Sequence, residues 1–370
     1  MGISQTEIIY TLALQQIPGI GSLLGRKLIE RLGSAESVFR TPASKLESTP
    51  GIGPLLAHAI KQHQDISAAE AEWRKAEKHG LRVLHFRDND FPARLRQCPD
   101  HPLILFGKGH LALNSNRVVA VVGTRGASDY GRLLVEQLVR GLLPYNVLVL
   151  SGLAYGIDIQ AHRQALTAGL PTVAVLGHGL SRIYPAAHKH TAEKMLETGG
   201  LLTECWYDDP PDRENFPKRN RIVAGMADAV VVVEAAENGG ALITASMAND
   251  YNRDVYAFPG RITDAGHAGC HKLVMQNKAA LIGSASDLIV AMGWGVMSEK
   301  KSLPRQGLLF VDLEPDEQML FDMMPLQQGI SIDELIVRSG WSTSKLSHLL
   351  LALEFKGVVH AAPGKLFLRM

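Results

Sequence analysis

The sequence predicts an α/β fold built on a doubly wound parallel sheet, and three observations predict it. Val118-Val-Ala-Val-Val122 is an unbroken, mostly β-branched apolar run, the pattern of a strand buried on both faces. Val147-Leu-Val-Leu150 and Thr172-Val-Ala-Val-Leu176 repeat it, with helical patterns from Tyr130 to Gly141 and from Ile159 to Ala168 in between. All three strands run into glycine-containing loops, at Gly123, at Ser151-Gly152 and at Gly177-His178-Gly179. Packing alone does not explain three such loops on one sheet edge, and the carboxyl edge of an open α/β sheet is where ligands bind.

A chain of 370 residues predicts two or three domains, and 46% hydrophobic with 20% charged residues is the composition of a folded protein. The net charge of +1 excludes a global basic excess, so any nucleic-acid binding has to come from local patches. The N-terminus lacks a charged-then-apolar leader, and the sequence holds no apolar run of membrane-spanning length. Cys98, Cys205 and Cys270 are scattered without paired spacing. Together these features predict a reduced, cytoplasmic protein without a membrane segment.

Residues 1–80 are predicted to form a helical domain. Ile17-Pro-Gly-Ile-Gly21 and Thr49-Pro-Gly-Ile-Gly53 repeat one pattern, each followed by an apolar helical run. The pattern is similar to the helix-hairpin-helix motif, whose glycines aim backbone amides at a nucleic-acid phosphate. The first copy carries Arg26, Lys27 and Arg31, the second only His58, Lys61 and His63. Two readings are open: contact with DNA, or a small bundle of sterile-alpha-motif shape that packs on the core. A polar helix from Ile66 to Lys78, capped by Gly80, leads to a short strand from Leu81 to Phe86.

Residues 81–295 hold the sheet, with later strands expected at Gly200–Thr203, Ala229–Val233 and Val255–Phe258. A dinucleotide site fails twice. The glycines from Gly123 to Gly131 lack the G-x-G-x-x-G spacing, and Ser151 stands where a ribose-binding carboxylate belongs. What survives is the anion-binding logic: Gly123, Thr124 and Arg125 after the central strand, and the amides of Ser151 and Gly152 after its neighbour. Lys218, Arg219 and Arg221 add a basic cluster that the overall charge hides, with Phe216 and Asn220 available to stack on or hydrogen-bond a base. The cluster is expected just ahead of a helix Ile222–Met226. Alternatively, Arg219 and Arg221 pair with Glu234, Asp228 or Glu204.

Ser151, Asp158 and His162 invite a hydrolase reading, but Ser151 lacks the G-x-S-x-G elbow, and Asp158 and His162 are one helical turn apart, which suits an intrahelical contact. His267, Cys270 and His271 lack a fourth metal partner at convincing spacing. A nucleotide-monophosphate N-glycosidase is the alternative enzyme, since Gly239-Gly240 resembles part of its Gly-Gly-x-Gly-Thr loop. The third glycine and the following glutamates are missing here.

Residues 296–314, with Lys300-Lys301, read as a linker. Residues 315–370 read as a winged helix: Ser331-Ile-Asp-Glu334 opens one helix, Lys345 to Phe355 forms the next with Leu346, Leu349, Leu350 and Leu353 inward, and Pro363-Gly364 turns the wing. The second helix exposes Ser342, Ser344, Lys345, Ser347 and His348, a poor set for reading base edges.

Taken in order, Val-Gly-Thr-Arg (122–125), Ser-Gly-Leu-Ala-Tyr-Gly-Ile-Asp (151–158), Ile-Tyr-Pro (183–185), Phe-Pro-Lys-Arg-Asn-Arg-Ile-Val-Ala-Gly (216–225) and Ala-Leu-Ile-Thr-Ala (241–245) resemble the DNA-processing protein A family. The resemblance spans residues 81–290 and departs where Asn238-Gly239-Gly240 replaces the usual Ser-Gly-Ser. It implies an extended Rossmann-like domain that binds single-stranded DNA, forms a homodimer and loads the RecA recombinase in natural transformation. It implies no catalysis, cofactor or metal. The residues expected on DNA are Gly123, Thr124, Arg125, Ser151, Gly152, Lys218, Arg219, Asn220 and Arg221.

Overall fold

The strand Val118–Val122 is buried at every position, and its alternate side chains fill both faces of the sheet. A computed structural model describes residues 3–295, 313–325, 329–362 and 366–369, and it separates into two units, 1–292 and 293–370. Among the described residues of the first unit, nine strands form one sheet: β1 (Arg82–His85), β2 (Ile104–Gly109), β3 (Val118–Val122), β4 (Leu148–Ser151), β5 (Thr172–Leu176), β6 (Gly200–Thr203), β7 (Ala229–Val232), β8 (Asp254–Ala257) and β9 (Ala280–Leu281). Their order is β1-β2-β6-β5-β4-β3-β7-β8-β9.

From β6 to β9 every neighbouring pair is parallel, as the alternating strand and helix pattern predicts. The end at β1 and β2 corrects the purely parallel expectation, because β1 pairs antiparallel with β2 and β2 antiparallel with β6. Antiparallel neighbours need no helical crossover, so the chain can enter the sheet directly from the N-terminal helices. The order reverses at β3, which has β4 on one side and β7 on the other. The loops after β3, β4 and β7 therefore surround one crevice, the usual ligand position in an open α/β sheet.

Four helices build that crevice: α1 (Asp129–Leu142), α2 (Ile157–Ala168), α3 (Asn215–Met226) and α4 (Gly240–Asp250). The predicted helix Ile222–Met226 is corrected to α3, which begins seven residues earlier. Pro217 is the third residue of α3, where a missing N–H has no intrahelical partner to lose, so proline does not break the turn. The basic cluster consequently lies within the helix, not ahead of it.

The N-terminal helices share one apolar core with the sheet: Leu12, Leu28, Ile29, Ile60 and Ala76 belong to the same cluster as Leu84, Leu103 and Phe106. The two predicted hairpins pack reciprocally. Gly19 and Gly51 have φ of +86° and +94°, and a Cβ on each would stand 2.9 Å from Leu56 Cδ2 and Leu24 Cδ2, respectively. Each turn is thus closed by a leucine from the helix of the other copy.

In the second unit, helices Pro315–Met323, Ile332–Ser339 and Thr343–Phe355 surround a core that includes Leu346, Leu349, Leu350 and Leu353, as the sequence predicts. Ser331 caps its helix by accepting from the Glu334 N–H at 3.2 Å. The strands Ile330–Ser331, Leu366–Arg369 and Val359–Ala362 form an antiparallel sheet, which completes a winged helix. The wing tip Pro363-Gly364 and most of the predicted linker, 296–312, lie outside the described residues.

Candidate nucleic-acid interface

The crevice at the switch point opens into a cavity of about 600 Å³. Gly123, Thr124 and Arg125 reach it from β3, Gly152 and Asp158 from β4 and α2, and Gly239 and Gly240 from the start of α4. Phe216, Arg219 and Asn220 line it from α3, with Arg213 just ahead of that helix. Sequence-distant loops meet here because the strand order reverses beside β3.

Backbone contacts hold the loops in place. Thr124 N–H donates to the Glu234 carbonyl at 2.7 Å, tying the β3 loop to the end of β7. The Ile157 N–H donates to the Thr124 carbonyl at 3.1 Å, which pins the same loop to the start of α2. The Glu234 carboxylate, buried behind them, accepts from Ser128 N–H at 3.0 Å at the entrance to α1. Gly152 N–H donates to the Asp158 carboxylate at 3.1 Å. This corrects the expectation that the Gly152 amide is available to a phosphate, since a buried carboxylate already accepts from it.

The cavity is electropositive. Three arginines, Arg125, Arg213 and Arg219, face one carboxylate, Asp158, among its described lining residues. Burial holds the Asp158 carboxyl above its ordinary value, against the pull of the Arg219 guanidinium and the hydrogen bonds it accepts. Burial also lowers the Arg219 pKa, opposed by Asp158, but a guanidinium starts so high that it stays charged. Arg219 donates Nη1 to the Val175 carbonyl, while its Nε is buried without a hydrogen-bond partner. No described side chain caps α4, which leaves the positive end of that helix dipole to an anion. The Arg125 guanidinium sits 5.7 Å from the Phe216 ring centroid, and Tyr184 lies 6.2 Å from the same ring. Cations and a half-buried aromatic therefore share one wall.

The expected DNA residues divide into two groups. Gly123, Thr124, Arg125, Gly152, Arg219 and Asn220 meet in the cavity. Ser151, Lys218 and Arg221 are not among its lining residues. The Ser151 hydroxyl is buried and donates to the Val121 carbonyl at 2.7 Å, which fastens β4 to β3. Arg221 forms an ion pair with Glu204 and donates to the Asp100 carbonyl, so it fixes α3 to its surroundings. That is the ion-pair alternative, realised for Arg221. Lys218 is exposed on α3, on the side toward Glu204 and Cys205. Sequence reasoning missed Arg213, which stands between Asp212 and Glu214 in a proline-rich stretch and looks like part of a solvated charge run. Its position two residues before α3 is the one signal that could have found it.

The competing chemistries meet specific obstacles. His162 is not in an intrahelical contact with Asp158: its Nδ1 lies 2.7 Å from Thr172 Oγ1, while Asp158 accepts from Gly152. Burial pushes the His162 pKa down to about 3, so this imidazole is neutral. His162 thus stands apart from Ser151 and Asp158, which lie within hydrogen-bonding range of each other, and does not relay between them. His267 Nδ1 lies 2.9 Å from the Asp264 carboxylate and His271 contacts Gly260, while the Cys270 thiol is buried against the Val232 carbonyl. Among the described residues, no group of three or more histidine, cysteine or acidic side chains is arranged to hold a metal ion. In the second unit, Lys345 is partly exposed, pairs with Asp316 at 2.7 Å and lies 4.0 Å from the centre of the Trp341 ring.

Known proteins match this architecture. Residues 82–293 match the family described as DNA recombination-mediator protein A, and residues 311–365 match the DprA winged helix domain. Protein Smf of Escherichia coli is 35% identical over 282 residues, covering 75% of each chain. The X-ray structure of DNA processing protein A from Streptococcus pneumoniae superposes with a TM-score of 0.66 at 33% identity, over 79% of this chain and 98% of that one. DNA processing protein A from Helicobacter pylori, whose structure concerns its single-stranded-DNA binding mode, gives a TM-score of 0.53 at 26% identity, over 58% and 96%. With its sheet domain matched over residues 82–293 and its winged helix matched as well, the chain belongs to the DNA recombination-mediator protein A family.

Proposed function

We propose that the protein binds single-stranded DNA without sequence preference, protects incoming strands and passes them to the RecA recombinase in natural transformation. It acts without catalysis or cofactor. The observation that carries this reading is that Arg125, Arg213 and Arg219 line one cavity with Phe216, whose ring centroid is 5.7 Å from the Arg125 guanidinium. A phosphate placed between the arginines and the start of α4 satisfies the cations. The neighbouring base stacks on Phe216, a contact worth about 1–3 kcal/mol and indifferent to base identity. The single-stranded-DNA binding of the Helicobacter pylori relative supports the same assignment. Lys218, exposed on α3, extends the basic surface beyond the cavity.

A homodimer belongs to the proposal. The edge strand β9 is exposed, and Met275, Leu281 and Val290 on it and its flanking helices expose apolar surface of the kind a second chain covers. A cytoplasmic location fits the three free cysteines, and no helix among the described residues is long and apolar enough to cross a membrane. The glycosidase alternative is disfavoured because Asp158, the carboxylate lining the cavity, is already bonded to Gly152.

The test is salt-dependent binding to single- and double-stranded oligonucleotides of several sequences. Preference for single strands, uniform across sequences and weakening with salt, is expected. Strong dependence on base identity, or steady release of free base from nucleoside monophosphates, overturns the proposal.

A further inference from the structure

A second basic cavity, of about 400 Å³, opens in the N-terminal helices. Arg31, Arg40 and Lys45 line it, together with the hydroxyl-bearing Ser37 and Thr41. The cations come from three separate segments: the end of helix Ser22–Leu32, the end of helix Ala35–Arg40 and the helix Ala43–Glu47. No carboxylate is among the described lining residues. We propose that this cavity holds phosphates of the same single strand that enters the switch-point cavity, as a second backbone contact. The inference rests on the single-stranded-DNA reading of that main site.

A plainer explanation is that cations near helix C-termini complement helix dipoles. It accounts for each residue separately but not for their convergence on one opening free of acidic groups. Their existing partners are weak competitors for a polyanion. Arg40 pairs with Glu36 one turn back while 75% exposed, Arg31 donates to the Ser48 hydroxyl at 3.2 Å, and Lys45 has no ion pair among the described residues. Ser37 accepts from Ser34, which leaves its own proton to donate.

The cavity also resolves which part of the hairpin domain faces the strand. The hairpin tips carry exposed Leu23 and Leu55, 42% and 86% exposed, and Lys61 is turned to the Phe39 carbonyl at 2.5 Å. Positive charge therefore converges at the Arg31–Arg40–Lys45 opening as well as on the exposed Lys27 of the first hairpin. Because both cavities belong to one compact unit, they stand in a single frame to which a flexible strand can adapt.

The test compares R31A/R40A/K45A with the unaltered chain on a strand of roughly 6 nucleotides, short enough for one site, and on one several times longer. On the long strand the log–log salt slope is expected to fall by about 2, from three lost contacts at about 0.7 each, with the short-strand affinity unchanged. R31K/R40K/K45R is expected to keep the slope, which separates charge from folding. An unchanged long-strand slope in the alanine variant overturns the inference and leaves an acidic protein partner as the occupant to seek. The main site is tested separately by R125A/R213A on the short strand. No loss there, together with a reduced slope in the triple variant, refutes the main cavity and not this one.

Discussion

Gly152 lies directly under the guanidinium of Arg219: a Cβ built on Gly152 would come within 1.8 Å of Nη1. Arg219 has little freedom to retreat, because it is buried and donates Nη1 to the Val175 carbonyl. The glycine therefore lets a buried cation reach the cavity floor. Gly152→Ala is expected to destabilise the fold by about 1–3 kcal/mol, as overpacking does. It should also weaken single-stranded-DNA binding at salt and temperature where the variant remains folded. Thermal unfolding together with binding titrations checks both outcomes.

Arg219 and Asp158 separate folding from binding. Arg219→Met removes the guanidinium whose charge opposes the burial of the Asp158 carboxylate and is expected to cost about 1–3 kcal/mol of stability. Adding Asp158→Asn removes the uncompensated charge while keeping an oxygen that can accept from Gly152 N–H. The double variant is expected to regain most of the stability but not the DNA affinity, which stays roughly 10–100-fold reduced for the loss of one charged hydrogen bond. Recovery of affinity along with stability would make Arg219 purely structural.

The two groups of arginines differ in salt dependence. Arg125→Ala and Arg213→Ala should each lower the log–log salt slope by about 0.7, equally for every sequence. Arg221→Ala should leave the slope alone and lower stability, because the half-buried Glu204 then loses its partner and its carboxyl is already raised by burial. A slope change in Arg221→Ala alone would reverse the assignment of roles along α3.

The division between α3 residues marks where the sequence ceased to be legible. Apolar runs placed β3 and β5 to the residue, since burial on both faces leaves a contiguous signal. The loop glycines placed the cavity because strand order in a doubly wound sheet is constrained by topology. The antiparallel edge at β2 left no comparable trace, as an apolar strand reads the same in either direction. Pro217 hid the first turn of α3 and thereby the helical phase that points Arg219 into the cavity and Arg221 toward Glu204. Whether Gly152 N–H was free was also illegible, since its acceptor Asp158 lies six residues on and its burial depends on the whole fold.

Acid is expected to loosen the attachment of the N-terminal helices through His85. Its Nδ1 accepts from the Arg87 N–H at 3.2 Å, which assigns the proton to Nε2, placed 3.3 Å from Thr11 Oγ1 on the N-terminal helix Gln5–Gln15. Burial, opposed by Asp88, lowers its pKa to about 4 from the ordinary 6.5. The unfolded chain therefore takes up a proton first as pH falls. The stability due to the neutral ring is complete above pH 6.5 and declines between pH 6.5 and 4, by on the order of 3 kcal/mol. Burial raises the carboxyls of Glu7, Glu72, Asp158 and Glu204, and their protonation in the fold acts in the opposite direction toward the acid end. His85→Gln isolates the histidine: the amide can keep the donor to Thr11 but cannot titrate. Unfolding free energies measured from pH 7 to 4.5 should fall less steeply in the variant than in the unaltered chain, and parallel curves would remove His85 as the acid-sensitive joint.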